Sequence, residues 1–534
     1  MSYAKHLTHP KQTPQNQPIP GSTQVPNSAG GYAFPVDDWT RLDRFLVLGS
    51  EGGSYYATER KLIVDNADAV LRCVAADGLR TVRRIVEISS AGRAPKNEPA
   101  ILALALAISH GDLATRRAAG EALPKVCRIG THLFHFAAYV NSVRGWGRGL
   151  RRAVANWYLN AQAADVAFQA VKYQQRDGWS HRDLLRLTHP VATTTEQNIV
   201  FNWITKGWEN VGAEPHPVEA ARLIWAFERA RTANKQELLK LISEYKLPRE
   251  ALPTTALNDP EVWAAMLPHL GLTALLRNLG TMTKIGLLHK GNSKEVDLVV
   301  KAITSSEQSR RARIHPISIL SALTTYQQGH GVRGSSEWEP VTRIVDALDT
   351  AFYSSFVNVE PVGKRIVLAL DVSGSMGNGE IAGVPGLTPR IGSAAMALVT
   401  AATEKQCEMV AFSDEMRPIT ISPRQRMDDV IKSTANIPFG RTDCALPMLW
   451  ALKNNVQADA FVIYTDSETW FGTIHPVQAL AKYREQTGIP AKLVVVGMVA
   501  NNFSIAHPND AGMLDVVGFD SAAPQLLSDF LRQS

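Results

Sequence analysis

The chain has 534 residues, 45% hydrophobic and 20% charged, with a formal net charge of +6. This length excludes a single hydrophobic core, and the composition is ordinary for globular protein, so we expect a multidomain fold. The longest apolar runs, such as 101–108, are far too short to span a membrane. The mild positive charge is compatible with a polyanionic partner. Four scattered cysteines without a CxxC pair favour reduced thiols in a cytoplasmic protein.

The first stretch of the chain is rich in proline and in Gln, Asn, Ser and Gly. Residues 1–31 cannot bury a core of their own, and this composition predicts a disordered tail. The chain begins without the apolar segment of a secretory signal, so we expect no export. Order is predicted to begin near Tyr32, where Asp37 or Asp38 caps a helix that contains Trp39.

Residues 32–360 have the periodicity of short helices separated by breaks that contain glycine or proline. This pattern predicts an α-solenoid, which at about 40–47 residues per helical pair would contain about seven pairs. One or two irregular helical globules remain the alternative, because no tight repeat consensus is visible. Two capping boxes are predicted, Ser180 with Asp183 and Thr193 with Glu196. The clearest helical stretches are 62–75, 79–88, 100–109 and 113–126.

From residue 361 to residue 534 the pattern changes to strands that alternate with helices. This alternation predicts an α/β domain with a doubly wound, mostly parallel sheet that has helices on both faces. The predicted strands are 365–370, 407–412, 458–464, 492–499 and 514–519, and the predicted helices are 391–404, 424–435, 444–453, 476–486 and 522–531.

Acids and hydroxyls follow two of these strands. Asp371, Ser373 and Ser375 end the first strand, Thr442 lies in a loop between helices, and Asp466 directly follows another strand. Ligands in open α/β sheets bind outside the carboxyl ends of the strands, so we expect these side chains at one edge. An all-oxygen set suits a hard divalent cation.

This arrangement resembles the metal-ion-dependent adhesion site of von Willebrand factor type A domains, over about residues 360–534. By that resemblance Ser373, Ser375 and Thr442 would ligate the metal directly, while Asp371 and Asp466 would act partly through waters. One position would stay open for an acidic group of a partner. Mg²⁺ is favoured, and Mn²⁺ and Ca²⁺ remain possible. A degenerate site that binds no metal and serves in packing is the alternative.

The segment 143–190 interleaves basic and aromatic side chains, with eight Lys and Arg against three Asp. Lys172 and Arg176 are four apart and are expected on one helix face, and the next helix presents His189 at its end. Such a surface suits RNA, because cations neutralise phosphates and rings stack on unpaired bases. A solvated basic face with its tryptophans in the core is the alternative.

Two stretches of this segment, 145–158 and 172–189, resemble the TROVE module of the Ro ribonucleoprotein autoantigen family. Shorter matches are 127–134, 272–280, 312–316, 329–334, 442–448 and 466–469. The resemblance covers about residues 32–534, and it departs at Ser467, where Asn is commoner.

The Ro resemblance implies HEAT-like repeats closed into a monomeric ring whose ends the type A domain bridges. It also implies that small structured Y RNAs bind the basic outer surface, while 3′ ends of misfolded or unprocessed RNA enter the central hole. Carried over to this sequence, the RNA face contains Lys172, Arg176 and His189. Arg128 and Arg148 join it because they lie in matched motifs.

We therefore expect a non-enzymatic RNA-binding ring that acts as a scaffold in RNA quality control. One alternative is a metal-dependent docking scaffold whose type A domain recruits a protein such as an exoribonuclease, with RNA binding secondary. Another is an RNA-cleaving enzyme that uses His181 or His189 as acid and base.

Overall fold

The computed structural model describes residues 12–50, 58–208, 218–291, 294–312, 314–331, 335–356, 361–381, 384, 386–419, 421–422, 425–435, 437–438, 440–519 and 522–532. Helices occupy the described part of the chain from residue 38 to residue 354, apart from one short hairpin. They are α1 (Asp38–Leu48), α2 (Glu59–Ala91), α3 (Glu98–His110), α4 (Leu113–Val126), α5 (Gly130–Val143), α6 (Arg148–Leu159), α7 (Ala163–Lys172), α8 (His181–Thr188), α9 (Thr195–Lys206), α10 (Glu219–Ala230), α11 (Lys235–Tyr245), α12 (Pro260–Met266), α13 (Leu272–Lys284), α14 (Lys294–Thr304), α15 (Ser306–Arg311), α16 (Pro316–Gln327) and α17 (Thr342–Ser354).

Local chemistry explains where these helices begin and bend. The carboxylate of Asp37 accepts a hydrogen bond from the Thr40 amide, so the predicted cap of α1 is confirmed. The break between the predicted helical stretches 62–75 and 79–88 is a kink inside α2 at Asp77, where φ is −157° and ψ is 90°. Ser180 and Asp183 form the predicted capping box of α8. The second predicted box is wrong by one residue, because Thr194 caps α9 and accepts from the Gln197 amide.

Each helix contacts neighbours that are one or two helices away along the chain. α3 contacts α5, α4 contacts α6, and α6 contacts α8, as stacked helical pairs do. A single cluster of buried apolar side chains runs from α1 through the helices to one face of the C-terminal sheet. Among the described residues, the structure contains no helix that is both long and apolar enough to cross a bilayer.

The C-terminal region is a six-stranded sheet in the order β11-β9-β8-β5-β6-β7, flanked by helices. Its core strands are parallel, and the edge strand β7 is antiparallel. The predicted doubly wound domain is therefore confirmed, with β7 as an addition. The predicted start at residue 424 of one helix lies outside the described residues. The elements are β5 (Ile366–Asp371), α18 (Pro389–Thr403), β6 (Cys407–Phe412), β7 (Met416–Pro418), α19 (Met427–Ala435), α20 (Leu446–Lys453), β8 (Ala460–Thr465), α21 (Pro476–Thr487), β9 (Lys492–Gly497), β10 (Phe503–Ser504), β11 (Met513–Val517) and α22 (Ala522–Arg532).

The expected disordered tail is wrong for residues 12–31, while residues 1–11 lie outside the described part. Strand β1 (Val25–Pro26) pairs with β2 (Tyr32–Pro35), which pairs with β10 of the C-terminal domain. Gln15 is fully buried. This segment has no core of its own. It is ordered because the C-terminal domain supplies its strand and hydrogen-bond partners, and amino-acid composition does not reveal such distant contacts.

The C-terminal domain contacts the helical region near both of its ends. At the first end, the buried guanidinium of Arg44 in α1 lies 2.6 Å from the Asp515 carboxylate of β11. At the other end, Arg426 pairs with Asp346 of α17 at 2.8 Å. The first ion pair is largely buried and the second is half-exposed, and both join the helical region to the C-terminal domain.

Candidate metal centre and candidate nucleic-acid interface

The proposed metal ligands lie at the carboxyl edge of the sheet, where the winding reverses. β6 lies on one side of β5 and β8 lies on the other, so a crevice opens between the ends of β5 and β8. Asp371 is the last residue of β5, and Asp466 follows β8. Both side chains are buried.

Hydrogen bonds orient the Asp371 carboxylate. One oxygen accepts from the Ser373 amide at 2.9 Å, and the other accepts from the Thr465 hydroxyl at 2.6 Å. The hydroxyl oxygens of Ser373 and Ser375 lie 3.2 Å apart beside it. The structure therefore brings a carboxylate and two hydroxyls to one point, as the sequence predicts.

Burial makes this edge electrostatically costly for anions. Burial raises the pKa of Asp371, and burial together with the charge of Asp371 raises the pKa of Asp466 to about 7. The pKa of Glu468 is raised to about 8 by burial and by Asp466. Arg390 is the nearby cation, and its guanidinium donates to the carbonyl oxygens of Val372 and Ser373. A bound divalent cation would offset the remaining negative charge.

Thr442 lies in a loop that contacts the segment after Asp466. Its side chain is buried, and its carbonyl oxygen accepts from the amides of Trp470 and Phe471 at 3.2 and 3.0 Å. These contacts tie the Thr442 loop to the segment that follows Asp466.

The donor set fits a hard cation. Among the described residues, no group of three or more His, Cys, Asp or Glu forms a metal cluster, so the candidate site depends on its hydroxyls. The buried hydroxyl of Ser467 has no hydrogen-bond partner in the described part of the chain, and the φ of Ser467, 61°, lies in the left-handed region. Asn adopts that conformation more readily than Ser, which is a physical reason why Asn would suit this position.

Sequence reasoning missed Thr465, Arg390 and Gln15. Thr465 could have been found, because it precedes Asp466 at the end of a buried strand. Gln15 could not have been found by local patterning. Its carboxamide donates to Asp443 at 2.5 Å and to the Ile474 carbonyl at 2.8 Å, and it also accepts from the Thr469 hydroxyl. The N-terminal segment therefore braces the loops beside the candidate site.

The predicted helix face that joins Lys172 and Arg176 is wrong. Helix α7 ends at Lys172, and Arg176 lies in a hairpin formed by β3 (Gln175–Arg176) and β4 (Trp179–Ser180). Asp177 and Gly178 form its turn with φ values of 52° and 77°, both in the left-handed region. A two-residue turn of this kind fits the twist of paired strands, and Asp-Gly is a typical sequence for it.

Contacts with α5 and α6 hold this hairpin in place. The His135 Nδ1 atom of α5 lies 2.5 Å from the Asp177 carboxylate. Trp146, just before α6, packs on Trp179 with ring centroids 5.4 Å apart. The side chain of Arg176 nevertheless remains 61% exposed, so the hairpin presents a cation to solvent from a fixed base.

The other proposed RNA-binding residues lie on elements around this hairpin. Lys172 is half-buried, with its ammonium over the rings of Phe168 and Tyr173. His189 is exposed at the end of α8, and Arg148 is exposed at the start of α6.

Arg128 differs from these because its guanidinium is held within the protein. It is half-buried and donates to the Ser89 hydroxyl and to the Lys125 carbonyl oxygen, each at 2.9 Å. Gly130, two residues further along the chain, lies beside Tyr173, since a Cβ at Gly130 would be 3.1 Å from the Tyr173 Cβ. Because these hydrogen bonds hold its guanidinium within the protein, Arg128 is better placed to support the proposed RNA-binding surface than to contact RNA.

His181 is enclosed in the core below the hairpin. It is 2% exposed, its Nδ1 lies 2.8 Å from the Tyr158 hydroxyl, and burial lowers its pKa to about 4. Because so little of the ring is open to solvent, this position argues against His181 as a catalytic acid or base.

The fold and these sites define a helical-repeat protein joined to a von Willebrand factor type A-like domain. The profile of the TROVE domain matches residues 25–247 and 242–325, and the profile of the Ro60 vWA domain matches residues 365–531. The chain therefore belongs to the Ro60 family of TROVE-domain proteins.

Whole-chain comparisons agree with this assignment. The chain is 43% identical over 526 residues to the RNA-binding protein RO60 of Deinococcus radiodurans, covering 98% of each sequence. It is 37% identical over 596 residues to the RNA-binding protein RO60 of Caenorhabditis elegans, covering 98% of this chain and 92% of that one. The crystal structure of the Deinococcus radiodurans RO (RSR) protein matches with a TM-score of 0.71 and 43% identity, over 93% of this chain and 99% of that chain.

Proposed function

We propose that this chain is an RNA-binding scaffold without catalytic activity, and that it binds structured RNA on the face around the hairpin. One observation carries the proposal: a chain 43% identical to a protein named as RNA-binding holds an exposed Arg176 on a braced hairpin. Fixed cations beside aromatic rings neutralise phosphates and stack bases. The proposed contacts are Lys172, Arg176 and His189, with Arg148 on the same face and Arg128 behind it.

The proposed RNA is a small structured noncoding RNA of the Y type. In this proposal the helices close into a monomeric ring, and single-stranded 3′ ends of misfolded RNA enter its hole. Contacts at both ends of the helical region support closure. In addition, the His315 Nε2 lies 3.1 Å from the Arg93 carbonyl oxygen, and Arg93 in turn donates to the carbonyl of Val517. The proposed location is the cytoplasm.

The RNA face is tested by fluorescence anisotropy with a labelled hairpin RNA at several salt concentrations. We expect Lys172→Ala with Arg176→Ala to weaken binding more than about tenfold and to lower the salt slope by about 2, one for each lost phosphate contact. Lys405→Ala with Lys453→Ala is the matched control, because both lysines are exposed on the C-terminal domain. Equal affinity of the face variant and the control would contradict the proposal.

A second candidate function is supported by the buried acids and hydroxyls at the sheet edge. We propose that Asp371, Ser373, Ser375, Thr442 and Asp466 hold a divalent cation, with Mg²⁺ favoured over Mn²⁺ or Ca²⁺. When bound, the cation would offer an open coordination position to a carboxylate of a protein partner, such as an exoribonuclease.

Calorimetric titration with Mg²⁺ and Mn²⁺, before and after EDTA treatment, tests the metal site. Saturable binding with a stoichiometry of one is expected, and no binding of either ion would contradict it. Addition of a candidate partner to the metal-loaded and the EDTA-treated protein would then separate docking from simple metal binding.

A further inference from the structure

Beside the candidate metal site, a short loop presents an aromatic pair, Trp470 and Phe471. Both side chains are half-buried, and their ring centroids lie 6.0 Å apart with planes that meet at 68°. Their backbone amides donate to the carbonyl oxygen of Thr442 at 3.2 and 3.0 Å. The aromatic pair therefore lies next to a proposed metal ligand, at the position where a partner of that metal would arrive.

Contacts with the N-terminal segment hold the loop of the aromatic pair in place. The backbone amide of Gln15 donates to the Gly472 carbonyl oxygen at 3.1 Å, and the side chain of Gln15 donates to the Ile474 carbonyl oxygen at 2.8 Å. A Cβ at Gly31 would lie 2.7 Å from the Trp470 Cα, so only glycine allows the two segments to approach this closely. Because the loop is ordered before a partner binds, little entropy is lost on binding.

Arg441 adds a cation to this surface. It directly precedes Thr442, its side chain is exposed, and its guanidinium carbon lies 4.4 Å from the centroid of the Phe471 ring. A cation over a ring is held by the ring's electrons, and the N–H groups at the edge of the guanidinium remain available for a carboxylate. Since consecutive Cα atoms are about 3.8 Å apart, Arg441 stands close to the position at which a partner would meet the metal.

Two acids lie near Arg441, but neither forms an ion pair with its guanidinium in the described part of the chain. Asp443 is buried, and its carboxylate accepts from the Gln15 side chain at 2.5 Å. Asp414 is half-buried beside Gly440, where a Cβ would lie 2.1 Å from its carboxylate. The charge of Asp414 opposes an acidic ligand, so the contribution of Arg441 to binding should be moderate.

The other acids around this edge are engaged elsewhere. The exposed Glu415 lies 3.4 Å from Arg417, and the buried carboxylate of Glu468 accepts from the Ala29 amide at 3.1 Å. Arg441 is therefore placed to receive an acid from outside the domain.

The ligand of this surface must supply three features. It needs one acid for the metal, a second acid for the guanidinium, and an apolar side chain for the aromatic pair. An extended protein segment supplies all three within a few residues, because its chain rises about 3.3 Å per residue and alternate side chains point to the same side.

We infer that Arg441, Phe471 and Trp470 form a second recognition surface beside the metal, and that it selects a protein segment with two acids close together in sequence. The inference rests on the proposed metal-dependent docking and gives that docking a specificity. One carboxylate meets the metal, the second binds Arg441, and an apolar side chain packs on the aromatic pair.

A library of displayed random peptides, bound to the Mn²⁺-loaded full chain and eluted with EDTA, tests the inference. The unaltered protein should enrich peptides with two acids within about three residues of each other. Arg441→Glu should instead enrich a basic residue beside a single acid, because the reversed charge attracts the opposite sign. Lys405→Glu is the matched control and should select pairs of acids, since Lys405 is an exposed cation just before β6, at the opposite edge of the sheet.

Fluorescence anisotropy with a labelled peptide from the selected pool measures the size of the effect. Arg441→Glu should weaken binding of this peptide about tenfold. Replacement of the second acid of the peptide by its amide should weaken binding to the unaltered protein but not to Arg441→Glu, because the two groups act as a pair. Phe471→Leu should weaken binding about threefold, since the ring no longer holds the guanidinium.

Peptides with a single acid, selected equally by the unaltered protein and by Arg441→Glu, would overturn the inference and leave the metal-dependent docking intact. Equal weakening of peptide binding by Arg441→Glu and Lys405→Glu would also overturn it. If EDTA eluted no enriched peptide from the unaltered protein, the proposed docking would fail, and this surface would fail with it.

Discussion

Two regions differ in how their residues are brought together. One is the metal-site edge, the carboxyl edge of the sheet with the candidate metal ligands, and the other is the hairpin face, the surface around Arg176 with the proposed RNA contacts. At the edge, parallel strands converge, and buried acids and hydroxyls meet with little solvent between them. At the hairpin, the exposed Arg176 lies on a strand beside a turn that His135 contacts and next to a strand on which Trp146 packs. The first arrangement suits a small cation of fixed geometry, and the second suits the extended and variable surface of an RNA.

Removal of the Asp371 carboxylate should have the largest effect, and this effect should be on metal binding. Asp371→Ala should abolish Mn²⁺ binding in a calorimetric titration, because a ligand carboxylate and the anchor for Ser373 and Thr465 are lost together. Glu415→Ala, an exposed acid on the same domain, should bind Mn²⁺ as the unaltered protein does. Retained binding by Asp371→Ala would place the metal elsewhere.

Acid should weaken the helical region through histidines that are buried without charge. Burial lowers the pKa of His181 to about 4 and that of His132 to about 3, whereas an unfolded histidine titrates near 6.5. Between these values the unfolded state binds more protons, so stability is complete above about pH 6.5 and is lost as the pH falls. His181 alone would contribute up to about 3 kcal/mol to this loss.

Thermal unfolding as a function of pH measures this effect. His181→Gln should flatten the decline of the unfolding midpoint between pH 6.5 and 4, whereas His110→Gln, at an exposed position, should not. An unchanged decline in His181→Gln would show that this histidine is already accessible to protons.

Gln15 lies outside the C-terminal domain in the sequence, but its side chain contacts loops beside the metal-site edge. Gln15→Ala removes a donor from the Ile474 carbonyl oxygen and from the buried Asp443 carboxylate, which keeps only its bond from the Ala445 amide among those seen here, and we expect a loss of about 2 kcal/mol. Thermal unfolding followed through the C-terminal domain should show a lower midpoint. Asn16→Ala is the control at the exposed neighbouring position, and an equal shift in both variants would mean that Gln15 contributes no specific bond.

The smallest expected effect concerns the brace below the hairpin. An asparagine at position 135 is too short to reach Asp177. The hairpin would then be less ordered before binding, and part of the entropic cost of ordering it would reduce the affinity for RNA. Affinity for hairpin RNA should fall about threefold, with an unchanged salt slope because no phosphate contact is lost. His110→Asn serves as the control, and a lower salt slope in His135→Asn would identify this residue as a direct contact.

Sequence reasoning predicted the edge better than the hairpin, for a physical reason. The ends of parallel strands meet in any doubly wound sheet, so Asp371 and Asp466 could be placed together from their strands alone. The spacing of Arg176 from Lys172 predicts a shared helix face, but that spacing takes no account of the Asp177–Gly178 pair that follows, which is a hairpin signal.

The contacts of residues 12–31 could not be predicted from the sequence. Gln15 is separated from Asp443 by more than four hundred residues, and no local pattern connects an amide to a distant buried acid. Packing between distant segments decides these contacts.

The central claim is that RNA binds at the hairpin face independently of the metal edge. Anisotropy with an RNA hairpin that stays folded in EDTA tests it directly, with the unaltered protein, Asp371→Ala, and Lys172→Ala with Arg176→Ala. We predict equal affinity for the unaltered protein and Asp371→Ala, with and without EDTA, and a loss of more than about tenfold for the double variant. A loss in Asp371→Ala or in EDTA as large as that of the double variant would contradict the account.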